Sequence, residues 1–168
     1  MLREYQQRTI DQLYKWFADG HKGHPCIELP TGSGKSHIIA AVCQDAKMQW
    51  PDTRILMLTH VKELIEQNAE KLRQHWPEVP LGIYSAGLGS KRFDDITFGS
   101  IQSIRRVDPA QLGHFDLVLI DECHLVSHKQ EGGYRKLIDA LARINPAMRV
   151  IGLTATPYRL GHGLITDD

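Results

Sequence analysis

The sequence predicts an α/β fold, a mainly parallel central sheet flanked by helices, and three observations carry that expectation. Short apolar runs alternate with helix-period segments along the chain. A glycine-rich loop, LPTGSGKS (Leu29 to Ser36), joins one apolar run to a helical segment. The most apolar run, FDLVLIDE (Phe115 to Glu122), ends on two adjacent carboxylates. With 168 residues and no linker, repeat or low-complexity stretch, residues 1–168 are expected to form one domain.

Ile10, Leu13 and Phe17 recur at helical spacing in a first helix, which DGHKGHP ends with its glycines and proline. CIELP is a short strand that runs straight into the glycine-rich loop. KSHIIAAVCQDAKMQW follows as a helix with no breaker before Pro51. RILMLTH (Arg54 to His60) is apolar throughout, as a strand buried on both faces should be. The next helix carries Val61, Leu64, Ile65, Leu72 and Trp76 and stops at Pro77. LGIYS and DITFGS are two further strands, with glycine-bearing turns between them. After FDLVLIDE, the segment YRKLIDALARI places Tyr134, Leu137, Ile138 and Leu141 on one helical face. MRVIGLTATP is the last strand, closed by Pro157.

Composition narrows the function. Twenty basic and twenty acidic residues cancel, so no global field advertises a nucleic-acid partner, and any such contact must be local. Cys26, Cys43 and Cys123 are odd in number and form no CxxC pair. That argues against a disulfide framework or a zinc site and for a reducing cytoplasm. His124 and His128 lie four apart beside Cys123, but the segment follows a strand end, where four-apart pairing on one helical face does not arise. No apolar run is long enough to span a bilayer, and no membrane partner is expected. Trp16, Trp50 and Trp76 fall near helix ends and read as packing residues.

The loop carries the chemistry. Strand, glycine-rich turn, Lys-Ser and helix make a phosphate cradle. Pro30, Thr31, Gly32, Ser33 and Gly34 wrap the anion, and Gly32 and Gly34 can take the positive φ that aims successive N–H groups at one point. The helix adds its positive end. Lys35 supplies charge to the β- and γ-phosphates and Ser36 a hydroxyl for Mg²⁺. The opening departs from the usual pattern, because Leu29 stands where glycine or alanine is common. Asp121, at the end of its strand, can hold the Mg²⁺ shell, and Glu122 can turn to the γ-phosphate to orient or deprotonate water. The expected ligand is a nucleoside triphosphate with Mg²⁺, and the paired carboxylates imply hydrolysis.

DECH, with PTGSGKS and GLTATP, resembles the first RecA-like lobe of the superfamily 2 helicases, in the group related to the DEAD/DEAH-box proteins. The resemblance implies a RecA-like P-loop NTPase fold, ATP as nucleotide and ATP hydrolase activity. LREYQQ is similar to an adenine-recognising Q motif, which makes Arg3 and Gln6 the implied base contacts. LTHVKELIEQN resembles motif Ia and TFGSIQSI the strand-contacting motif that follows it. These imply a nucleic-acid track at Thr59, His60, Lys62, Gly99, Ser100 and Gln102, in which Thr59, His60, Ser100 and Gln102 offer short donors to phosphate oxygens and Lys62 adds a charge. LTATP resembles motif III, so Thr154 and Thr156, with His124 of DECH, are implied to couple hydrolysis to lobe movement. HVKELIEQN, SAGL, FGSIQS and GLTATPYRLGHG are similar in wording to the RadD (YejH)-like bacterial DNA-repair ATPases. That implies DNA in preference to RNA.

The family works with two lobes, and GHGLITDD contains no motif IV, V or VI. A second RecA-like lobe is therefore expected elsewhere in a longer protein, and this lobe alone is expected to hydrolyse ATP poorly, because an arginine finger contributes roughly 10³–10⁵ in rate. Two other classes share the loop. A small-molecule kinase would need an acceptor pocket and a lid with arginines, neither of which is apparent. A non-catalytic module gated by ATP would not require Lys35, Asp121 and Glu122 together.

Overall fold

A computed structural model describes residues 4, 7, 8, 11, 12, 15, 24–29, 34–121, 128–155 and 164–167, with backbone alone at 24–29, 128–131, 154–155 and 164–167. Among these, residues 4, 7, 8, 11, 12 and 15 are helical, while Ile10, Leu13, Phe17 and Trp16 of the expected first helix lie outside the described residues.

The chain then alternates as the apolar runs require. Strand β1 (His24–Leu29) leads to α1 (Lys35–Gln49), β2 (Ile55–Thr59) and α2 (Lys62–His75). Next come β3 (Leu81–Ser85), a two-residue β4 (Ser90–Lys91), β5 (Ile96–Ser100), and the short helices α3 (Ile101–Ile104) and α4 (Pro109–Leu112). Strand β6 (Leu117–Asp121), α5 (His128–Ile144), β7 (Arg149–Ala155) and β8 (Leu164–Asp167) complete it.

The described strands form one sheet in the order β4-β3-β5-β2-β6-β7-β1-β8. Its interior pairings are parallel, and only the outer strands β4 and β8 run antiparallel. The period-2 alternation of a strand splits the core in two. Ile55 and Met57 face α1 and α2, together with Phe98, Leu119 and Ile151. Leu56 and Leu58 face the opposite side, where Val118 and Val150 meet Ile104, Leu112, Leu137 and Leu141 of α3, α4 and α5. Both faces are covered, which is why the parallel strands read as unbroken apolar runs.

Several boundaries differ from the expectation, each for a physical reason. β1 starts at His24 and so contains Pro25, whose register partner is Thr166 of β8; the β7 register begins only at Cys26. A residue without an N–H is tolerated at the start of a strand. β4 and β8 have no counterpart in the sequence reading, because two and four residues are too few to show a period. Helix α5 begins at His128 and not at Tyr134, and takes in Gly132 and Gly133, a pair that reads as a breaker. Gly99 and Ser100 end β5, within the expected strand DITFGS.

Candidate functional site

Register brings the chemistry to one edge. Thr59 pairs with Ser100 at the ends of β2 and β5, Leu58 with Ile120, Asp121 with Leu153, and Leu29 with Ala155. The C-terminal ends of five parallel strands therefore share the sheet edge at which the glycine-rich loop departs, the usual place for a ligand in such a sheet.

At the loop's exit, Gly34 has φ 81° and ψ 40°, a left-handed conformation that disfavours any side chain. Gly34 is the N-cap of α1, with no side-chain cap and no acidic residue in the first turn. The N-terminal dipole of a fifteen-residue helix is thus left for an anion. Lys35 is the first residue of that helix and its Nζ lies 2.5 Å from Asp121 Oδ1. The lysine side chain is 12% exposed and the carboxylate 0%. Burial of this kind is tolerated because each charge meets its opposite.

Asp121 has a second partner that sequence reasoning missed. Asn68 Nδ2 donates to Asp121 Oδ2 at 2.6 Å, from the middle of α2. Asn68 is itself buried, within the stripe formed by Ile65, Ala69 and Leu72. A polar residue on a helix's core-facing stripe was the available signal, because a buried amide must be answered by a partner. The remaining oxygens, the Asp121 carboxylate and the Ser36 hydroxyl on the first turn of α1, are hard donors, and they fit Mg²⁺ rather than a thiol- or imidazole-seeking metal. Among the described residues no group of three or more His, Cys, Asp or Glu could hold a metal.

The implied track divides in two. Lys62 and Gln102 are exposed and His60 is half-buried, with Gln102 Nε2 donating to the His60 carbonyl at 3.4 Å. These three form a strip just beyond β2 and β5. Thr59, Gly99 and Ser100 are buried. The Thr59 hydroxyl accepts from Val61 N at 3.2 Å and the Ser100 hydroxyl from Ser103 N at 3.2 Å, so both close local backbone turns. A Cβ on Gly99 would meet Ile104 Cδ1 at 2.2 Å and the Tyr84 carbonyl at 2.9 Å, which makes its glycine a packing requirement. Their local roles are therefore in turn closure and packing, and their implied part in the track stays an expectation.

Arg3, Gln6, Pro30, Thr31, Gly32, Ser33, Glu122, His124 and Thr156 lie outside the described residues. Thr154 is in β7, one residue past the Asp121 partner Leu153, with its backbone alone described. Trp50 and Trp76 are the C-caps of α1 and α2; Trp76 packs against the core as expected, whereas Trp50 is exposed and its packing role is corrected. Cys43 is buried among the core side chains and burial pushes its thiol up to about 12. Among the described residues no helix is long and apolar enough to cross a membrane.

Comparison with known proteins agrees with this geometry. Residues 1–159 match the family model described as "Type III restriction enzyme, res subunit". The mouse protein named ATP-dependent RNA helicase DHX58 is 28% identical over 153 residues, which cover 78% of this chain and 22% of that protein. The ATP-dependent DNA helicase mph1 of Sclerotinia sclerotiorum is 25% identical over 154 residues, 82% of this chain and 12% of that protein. The chain thus spans under a quarter of either relative. Among solved structures, the Sulfolobus solfataricus SWI2/SNF2 ATPase core in complex with dsDNA superposes with a TM-score of 0.68 at 18% identity, covering 95% of this chain and 32% of that one. That likeness shows a shared fold.

Proposed function

The chain belongs to the family of the type III restriction enzyme res subunit, and from that premise we propose that it is the ATP-binding lobe of a nucleic-acid motor, a helicase or translocase that hydrolyses ATP. The single observation that carries the reading is the ion pair between Lys35, at the exit of the phosphate loop, and Asp121, at the end of the most apolar strand. In a nucleotide-free lobe the two hold each other. Lys35 then turns to the β- and γ-phosphates, while Asn68 keeps hold of Asp121 Oδ2 and leaves Oδ1 facing the ligand. Ser36 and Asp121 are the residues that would hold Mg²⁺, which supplies charge neutralisation on the phosphates. Glu122 follows Asp121 directly and is assigned to orient or deprotonate the attacking water. Arg3 and Gln6 are assigned to the adenine base, and His124, Thr154 and Thr156 to coupling with a second lobe of a longer protein.

DNA is the favoured track. The curated relative mph1 is named a DNA helicase and the superposed SWI2/SNF2 core is in complex with dsDNA, although DHX58 is named an RNA helicase. The RadD-like wording of HVKELIEQN and GLTATPYRLGHG points the same way, toward DNA repair in the cytoplasm of a bacterium. His60, Lys62 and Gln102 are the contacts left on the surface. They offer one charge and two polar groups, which suits a motor that grips backbone and not sequence.

The test is ATP turnover by the protein joined to its second lobe, with single-stranded DNA, forked DNA or RNA. Stimulation is expected, largest with DNA, and Lys35→Ala should abolish it. Hydrolysis that ignores all three nucleic acids would replace the motor by a metabolic or protein-directed ATPase. Glu122→Gln should trap bound ATP; if it leaves turnover unchanged, the water-orienting role belongs to another residue.

A further inference from the structure

On the face of the sheet away from α1, a groove of about 620 Å³ runs between α3–α4 and α5. Its polar lining is Arg105, Arg106 and Lys136, all three exposed. None of the three meets a carboxylate among the described residues. In a chain whose charges sum to zero, three cations around one groove with no carboxylate partner among the described residues are a local field that attracts an anion.

The floor carries a second, independent observation. Gly132 and Gly133 sit inside the seventeen-residue helix α5, where each glycine costs roughly 1 kcal/mol relative to alanine. At Gly133 packing gives only a weak reason, since a Cβ would lie 3.4 Å from the Arg105 guanidinium, an ordinary van der Waals contact with a flexible side chain. Gly132 has none: a Cβ would meet nothing within 4 Å. Its missing side chain leaves open backbone on the groove floor, where a bulky ligand can approach closely.

The groove also continues the strip already described. Arg105 stands three residues after Gln102, on the same side of the α3 turn. Arginine's planar fork matches phosphate oxygens, and Arg105 and Arg106 both line the groove. We propose that this groove is a second phosphodiester-binding site, which holds nucleic-acid backbone beyond the strip of His60, Lys62 and Gln102. The proposal rests on the motor reading. It adds that the lobe grips its track at two places, the strip and the groove.

The experiment measures binding of a labelled single-stranded DNA oligonucleotide to the protein over a range of salt concentrations. Arg105→Gln/Arg106→Gln/Lys136→Gln should weaken binding and flatten the plot of log K against log salt by roughly 2, at about 0.7 for each phosphate left unneutralised. Gly132→Leu keeps every charge and fills open space, so it should fold and yet weaken DNA binding by obstruction. Nucleotide affinity should be unchanged in both, because α1 and Lys35 lie across the sheet. A triple variant with wild-type affinity and slope, while Lys62→Ala is impaired, overturns the second site and leaves the motor reading standing. Wild-type protein that binds neither DNA nor RNA at any salt overturns both. Unchanged DNA binding with loss of binding to polyglutamate would reassign the groove to an acidic protein partner.

Discussion

Asn68 Nδ2 and Asp121 Oδ2 are 2.6 Å apart, and both side chains are closed to solvent. The bond ties α2, which begins at Lys62 beside the surface strip, to the carboxylate at the nucleotide edge. Asn68 is thus a positioning residue, fixing which Asp121 oxygen faces Lys35.

Asn68→Ala would leave Asp121 Oδ2 buried without its donor, at a cost of about 1–3 kcal/mol. A urea melt should show that loss, and Mg²⁺ titration of nucleotide binding should show a weaker midpoint. Asn68→Asp should be worse on both counts, since it opposes carboxylate to carboxylate. Wild-type Mg²⁺ dependence in Asn68→Ala would reduce the contact to mere packing.

Removing Lys35 strands a fully buried charge. Lys35→Met should destabilise the nucleotide-free protein by several kcal/mol, about 3–5 where the partner cannot hydrate. Lys35→Met/Asp121→Asn should recover most of that stability while staying inactive. The comparison is a double-mutant cycle in denaturant; additive effects of the two single changes would mean that the ion pair contributes nothing specific.

Two glycines should respond in opposite directions. Gly99→Ala drives a methyl into Ile104 and the Tyr84 carbonyl, and overpacking of that kind costs about 1–3 kcal/mol. Gly132→Ala adds helix propensity in open space and should stabilise by up to about 1 kcal/mol. Thermal melts of the two variants decide this, and equal shifts would contradict the packing described at Gly99.

Cys43 links stability to alkaline pH. Its thiol is raised from 9.0 to about 12 in the folded protein, so between those values the folded state keeps a proton that the unfolded chain loses. The protonated thiol's contribution is complete below pH 9 and drains away as pH rises toward 12. Stability should therefore fall faster above pH 9 in wild type than in Cys43→Ala, and native Cys43 should resist alkylation at pH 8 while unfolded protein reacts there. Rapid native-state labelling of Cys43 would refute its burial.

The sequence declared most of this fold because buried parallel strands cannot hide. Leu56, Leu58 and Val118 serve one face while Ile55, Met57 and Leu119 serve the other, and the result is a run with no polar interruption. Lys35 and Asp121 were legible for a related reason: chemistry at a parallel sheet's edge must follow the loop of one strand and the end of another. Asn68 was not, because an amide within EQNAEKL looks like one more polar residue until the helix is rotated against the sheet. Thr59 and Ser100 show the opposite ambiguity. Hydroxyls that could bind phosphate are equally good at closing a turn, and only burial separates the uses. β8 was hidden because an edge strand needs a neighbour more than a pattern.

The placement of β1 between β7 and β8 has a bearing on how the molecule is born. The strand that launches the phosphate loop is made early, yet both of its hydrogen-bonded neighbours come from the far end of the sequence. At roughly 5–20 residues per second of synthesis, β1 waits several seconds on the ribosome with both edges unpaired. The nucleotide loop is therefore among the last features to acquire its shape, after the β2–β5–β6 centre has had partners to hold. A nascent chain long enough to have made β6 but not β7 would be a lobe with a core and no grip on ATP.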